Sequence, residues 1–153
     1  MTPRLPLRSI LLPVLLVAVL LGGCSDSGNS PPPPDCTSVA DTSQAATVSY
    51  QNDIRPFFAD EKYSCTSIGC HGETLPSSEY LLVTHADMFE AGPEARSRGI
   101  CAVKPGDPDQ SYIIWKIEGR SGTGERMPKG LAPMSAQDIA TFRQWILEGA
   151  RNN

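Results

Sequence analysis

Two cysteines with a histidine directly behind the second set the chemistry this chain can perform. The stretch reads Cys65-Thr66-Ser67-Ile68-Gly69-Cys70-His71-Gly72. Two thiols ending in Cys-His form the pattern for covalent haem attachment: each thiol adds to a porphyrin vinyl group, and the histidine ligates the iron. The usual gap between the thiols is two residues, but four separate Cys65 from Cys70 here. The porphyrin fixes the distance between its vinyls, so the extra residues must loop out. Gly69 and the small Thr66 and Ser67 permit that. Two competing chemistries use the same residues. One is a disulfide between Cys65 and Cys70 in a protein without haem. The other is a copper or zinc site made of Cys65, Cys70, His71 and a methionine.

The N-terminus predicts the compartment in which this chemistry runs. Arg4 and Arg8 precede an apolar run over residues 10–21, broken by Pro13 and too short for a comfortable membrane span. It reads as the core of a signal peptide over residues 1–23. Leu21-Gly22-Gly23-Cys24 resembles the bacterial lipobox, in which Cys24 is acylated and becomes the first residue of the mature chain. Each buried methylene of an acyl chain contributes about 0.8 kcal/mol, so two or three chains hold a protein firmly. The expected location is outside the cytoplasm, anchored by lipid to a bacterial membrane, at a periplasmic face or the cell surface. Residues 24–47 then read as a disordered tether, rich in Ser and stiffened by Pro31-Pro32-Pro33-Pro34. Residues 48–153 are left for one small folded domain.

Charge and cysteine count limit the partners. Without Arg4 and Arg8 the 17 acidic residues face 11 basic ones, a formal charge of −6. No basic stripe or basic-aromatic pattern points to nucleic acid. An acidic surface steers a carrier toward basic partners, and it equally serves plain solubility. An exported protein tolerates an unpaired thiol poorly. With Cys24 taken by lipid and Cys65 and Cys70 by haem, Cys36 and Cys101 remain and can pair. A haem-free protein with two disulfides satisfies the same count, so parity does not decide.

The elements that must position these residues are helical. Tyr50, Ile54, Phe57 and Phe58 share one helix face, with Pro56 shortening or kinking that helix. Thr84 is placed to cap a helix through His85, Met88 and Phe89. Asp107 as N-cap and Pro108 as first helical residue predict a helix through Tyr112, Trp115 and Ile117, stopped by Gly119. A Gly- and Pro-rich loop over residues 120–133 carries Met127-Pro128. Ser135, with Asp138 three residues on, opens the last helix, whose inward stripe is Ile139, Phe142, Ile146 and Ala150, joined by Trp145. No alternating strand pattern is present. The expected class is all-α, with three to four helices and long loops.

The order of these elements resembles a known family. Tyr50, Asp53-Ile54-Arg55-Pro56, the Cys65 to Gly72 motif, Lys104-Pro105-Gly106-Asp107-Pro108, Ser111-Tyr112, Arg126-Met127-Pro128, Ser135, Asp138-Ile139, Trp145-Ile146 and Gly149-Ala150 follow one another as in class I-type c-type cytochrome domains. The pattern resembles that of the small domains of exported proteins and lipoproteins in planctomycetes and myxobacteria. Longer gaps between the cysteines occur in some c-type cytochromes. The resemblance implies one covalent haem c, with His71 as proximal and Met127 as distal iron ligand. Met134 competes with Met127, although the family normally has leucine at that place, which favours packing for Met134. His85 offers a bis-histidine alternative, and Trp115 and Trp145 read as core first and haem neighbours second.

Two function classes follow. The first is a membrane-tethered carrier that passes one electron between exported redox proteins. With both axial positions filled, iron has no open site, and no catalytic triad, paired carboxylates or phosphate loop suggests an enzyme. The second is a haem-free, disulfide-stapled surface lipoprotein that acts as a binding module.

Overall fold

The structure, a computed structural model, describes residues 34–37, 45–59 and 61–153. The signal-peptide run and Cys24 lie outside the described residues. Ser49 starts the first helical segment by accepting a hydrogen bond from the Asn52 N–H at 3.2 Å. The turn that follows, Tyr50–Ile54, is π-helical and leads directly into α1, Arg55–Ala59. Pro56 has no N–H to give back to the preceding turn. The single helix face read from Tyr50 to Phe58 is therefore built from a wide turn and a short α stretch. Tyr50, Ile54 and Phe58 are buried on it, as the spacing requires.

A second short helix, α2, spans Pro93–Ser97. Sequence reasoning missed it because it offers only five residues and no apolar stripe. Its one signal was Pro93 at the first helical position, where a missing N–H is harmless. Between α1 and α2, 3₁₀ turns form at Ser77–Glu79 and Ala86–Phe89. Thr84 and Asp87 exchange side-chain to backbone hydrogen bonds at the start of the second turn, 2.7 and 3.3 Å long.

The helix expected from Asp107 is broken in two. Asp107 caps a 3₁₀ turn over Pro108–Gln110, and α3, Tyr112–Glu118, begins only after Ser111. Ser111 is fully buried, and its hydroxyl donates to the Asp107 carbonyl at 2.8 Å while accepting the Lys104 N–H at 2.8 Å. The first N–H groups of α3 have no intrahelical partners. Those of Tyr112 and Ile113 donate instead to the carbonyls of Cys101 and Ala102, at 2.8 and 3.1 Å. Local pairing with the 101–103 segment outcompetes one more helical turn. Gly119 ends α3 in the left-handed region at φ 72°, as its position predicted.

The last helix, α4, covers Ala136–Leu147, with Ser135 accepting the Asp138 N–H at 3.1 Å. The capping box is half-realised. The Asp138 carboxylate takes the Tyr63 hydroxyl, and that hydroxyl accepts the Ser135 N–H at 3.3 Å. Phe142, Trp145 and Ile146 are buried against α3 and the π-helical turn. Glu118 and Asp109 each accept bonds from both Arg120 and Arg143, linking α3 to α4 at the surface. Among the described residues there is no strand; the only ladder-like contact is an isolated bridge between Cys101 and Ser111.

The expected tether is fastened at two points. Cys36 forms a disulfide with Cys101, with Cα atoms 5.5 Å apart. The N–H groups of Thr47 and Val48 donate to the Glu148 carboxylate at 2.9 and 3.0 Å. Burial pushes that carboxyl up, but bonds from Gln144, Thr47 and Val48 outweigh it and hold its pKa at about 2. The folded unit therefore takes in Thr47 and, through the disulfide, Cys36.

Candidate functional site

The four residues between Cys65 and Cys70 fold outward in two turns. The Ser67 N–H donates to the Ser64 carbonyl at 3.2 Å, and the Cys70 N–H donates to the Ser67 carbonyl at 2.9 Å. Ile68 stands at the tip, 81% exposed. Gly69 sits in the left-handed region at φ +77° with no atom near its would-be Cβ. The loop then folds back so closely that a Cβ on Gly72 would lie 2.3 Å from the Thr66 carbonyl oxygen. A bond from the His71 N–H to the Cys65 carbonyl, 2.9 Å, closes the base of the loop. Both cysteines emerge as half-buried thiols on the wall of one cleft.

That cleft, about 220 Å³, collects residues from the first helix, the cysteine loop, α3, the methionine loop and α4. The first helix supplies Phe57 and Phe58, and the cysteine loop supplies Cys65, Cys70 and His71. Tyr80 and Leu82 follow, then Ile113, Lys116 and Ile117 of α3. Met127 and Met134 come from the loop before α4, and Phe142 from α4 itself. The walls are mainly aliphatic and aromatic.

His71 is held in one orientation. Its Nδ1 lies 2.9 Å from the Tyr80 carbonyl oxygen. A carbonyl can only accept, so Nδ1 carries the proton and donates, which leaves the lone pair on Nε2. Burial lowers the pKa of the imidazole, the Tyr80 carbonyl opposes that shift, and the Lys116 charge adds to it. A neutral ring is the ligating form, and a backbone carbonyl on the far nitrogen is the usual support of a metal-bound histidine.

The two methionines differ in setting. Met134 is 5% exposed and belongs to the central core, whereas Met127 packs half-buried at its edge. The Met127 N–H donates to the Lys116 carbonyl at 2.9 Å. The Lys116 ammonium also donates to the carbonyls of Thr123 and Glu125, at 2.9 and 2.6 Å. One residue of α3 thus fastens the methionine loop at three points. Sequence reasoning missed Lys116, although its place one turn from Tyr112 on α3 was readable.

Other candidates fall elsewhere. His85 packs between the rings of Tyr50, Phe89 and Trp145, and its Nε2 lies 2.8 Å from the Ala150 carbonyl. It takes no part in the cleft wall. Trp145 is fully buried with its N–H on the Arg151 carbonyl at 2.9 Å, and Trp115 donates to the Asp109 carbonyl at 2.6 Å. Neither tryptophan lines the cleft. Among the described residues, no three His, Cys, Asp or Glu side chains gather as a metal-ion site. No protein-family model, curated protein or solved structure matches the chain.

Proposed function

We propose that the cleft holds one haem, joined through Cys65 and Cys70 and ligated by His71 and Met127, and that the protein is a membrane-tethered electron carrier of the c-type cytochrome kind. One observation carries this reading. Two thiols, a histidine and a methionine from distant parts of the chain line one apolar cleft. The residues fit the group chemically as well. His71 keeps its Nε2 lone pair because its Nδ1 holds the proton and donates to the Tyr80 carbonyl. A single copper or zinc ion requires donors that meet at one point, and the thiols and imidazole do not cluster in that way.

Bound haem supplies one-electron chemistry by cycling between Fe(II) and Fe(III). The chain's own residues do the rest. Cys65 and Cys70 keep the group attached outside the cell. His71 and Met127 would hold the iron, and a methionine thioether would favour Fe(II). Phe57, Phe58, Ile117 and Phe142 keep water away, which favours the less charged state. Acylated Cys24 anchors the carrier, and exported redox proteins are its partners.

The test is a pyridine haemochrome spectrum of the mature protein from a host with cytochrome c maturation. A c-type spectrum that survives acid-acetone extraction is expected, and its band position reports one or two thioether bonds. A colourless protein from a competent host refutes the reading.

A further inference from the structure

Resting on that reading, we infer that Tyr112 and Lys116 form the receptor for one of the haem's propionate carboxylates. Tyr112 belongs to the cleft wall and is 8% exposed. Its hydroxyl is buried without a hydrogen-bond partner. Burying a hydroxyl without a partner is costly, so such a group in a ligand cleft marks a contact that the ligand completes. Lys116 lies one turn further along α3 and lines the same cleft. Its ammonium has three protons, and two go to the carbonyls of Thr123 and Glu125. The third remains for a ligand.

The surrounding charge selects an anion. The Arg98 guanidinium lies over the Tyr112 ring, 5.9 Å from its centroid, and Lys129, ion-paired with Glu125 at 2.6 Å, also lines the cleft. Glu94 is the acidic residue of the wall, and Arg98 pairs with it at 3.8 Å. A carboxylate accepts from both a phenol and an ammonium, and the propionates are the carboxylates that haem brings. The rest of the wall supplies apolar surface for the macrocycle.

The molecule contains its own control. The Tyr50 hydroxyl is also buried without a partner, but Tyr50 lies in the core and not in the cleft wall. The experiment compares Tyr112→Phe and Tyr50→Phe in the haem-loaded, mature protein. Removing the Tyr112 donor leaves the propionate charge less neutralised, which favours Fe(III). At a fixed electrode potential the reduced-to-oxidised ratio should fall about three- to tenfold, as expected for one lost charge-assisted bond. The carboxylate band in the redox-difference infrared spectrum should shift in the same variant. Tyr50→Phe should leave both readouts in place. Haem-loaded Tyr112→Phe with unchanged ratio and band overturns this inference alone. Equal shifts in both variants overturn it too, as a general packing effect. Absence of covalent haem in the parent protein overturns it together with the proposed function.

Discussion

Replacing Gly72 with alanine puts a Cβ 2.3 Å from the Thr66 carbonyl oxygen. A relaxed carbon-to-oxygen contact is about 3.3 Å, so one side must retreat by roughly 1 Å. Thr66 resists, because its N–H and its hydroxyl both donate to the Phe58 carbonyl, at 3.1 and 3.0 Å. Losing or stretching those bonds costs about 1 kcal/mol each, and overpacking of this kind costs about 1–3 kcal/mol. The expected destabilisation is about 2–3 kcal/mol, or a fall in Tm of roughly 10–20 °C for a domain this size. Gly69 gives the contrasting case within the same loop. Its φ of +77° disfavours alanine by about 1 kcal/mol, but its surroundings are open. Asparagine tolerates that backbone region and should restore most of the loss at position 69. At position 72 it should be no better than alanine, since the obstacle there is space. Urea unfolding of the four variants separates the two mechanisms, and haemochrome spectra report whether both thioethers still form. A Gly72→Ala loss below about 0.5 kcal/mol would refute the close-approach argument. So would rescue by asparagine at both positions.

Met127→Leu should lower the haem midpoint potential by about 0.1–0.2 V, a modest part of the ~0.8 V that axial ligands span. Met134→Leu should cost less than about 1.5 kcal/mol and leave the potential in place, and spectroelectrochemistry of the pair assigns the ligand. Lys116→Met removes the bonds to the Thr123 and Glu125 carbonyls, and after allowance for solvent should cost about 1–2 kcal/mol. Faster hydrogen exchange at the Met127 amide is the specific sign that the loop has loosened. Glu148, with its carboxyl held at about 2, contributes stability that is present above the ordinary carboxylate range and lost as pH falls toward 2. Glu148→Gln should therefore unfold more easily in urea at pH 7, by about 1–2 kcal/mol after screening, and the gap should narrow as pH falls below the ordinary carboxylate range and vanish only as pH passes below about 2.

The parts legible in the sequence were those fixed by local chemistry. Ser135 with Asp138, Gly119 as a helix stop and the apolar faces of the first and last helices each depend on residues within one or two turns. Ser111 was not legible as a break, because the N–H groups of Tyr112 and Ile113 just after it donate to the carbonyls of Cys101 and Ala102, about ten residues upstream. The same holds for Asp138, whose capping partner is displaced by Tyr63 from another part of the chain. At the site, the type and spacing of Cys65, Cys70 and His71 were plain. The support given by Tyr80 and Lys116 was not, because it comes through a backbone carbonyl and through loop carbonyls that no residue type announces.

An electron carrier works best when its ligands keep their positions in both oxidation states, and the bonding around this cleft can be weighed against that demand. The His71 N–H is bonded to the Cys65 carbonyl, its carbonyl accepts the Leu82 N–H at 2.9 Å, and its ring is bonded to Tyr80. On the other side the Met127 N–H is bonded to α3, and the Lys116 ammonium fixes the two carbonyls before it. The start of α3 is bonded in turn to Cys101 and Ala102, and Cys101 is joined to Cys36. The backbone of His71 is therefore bonded to Cys65 and Leu82, and that of Met127 to α3, all of which pack in or against the core. Fixing the ring of His71 and the amide of Met127 in this way is what the proposed carrier asks of its two ligands, which must hold their places as the charge of the site changes.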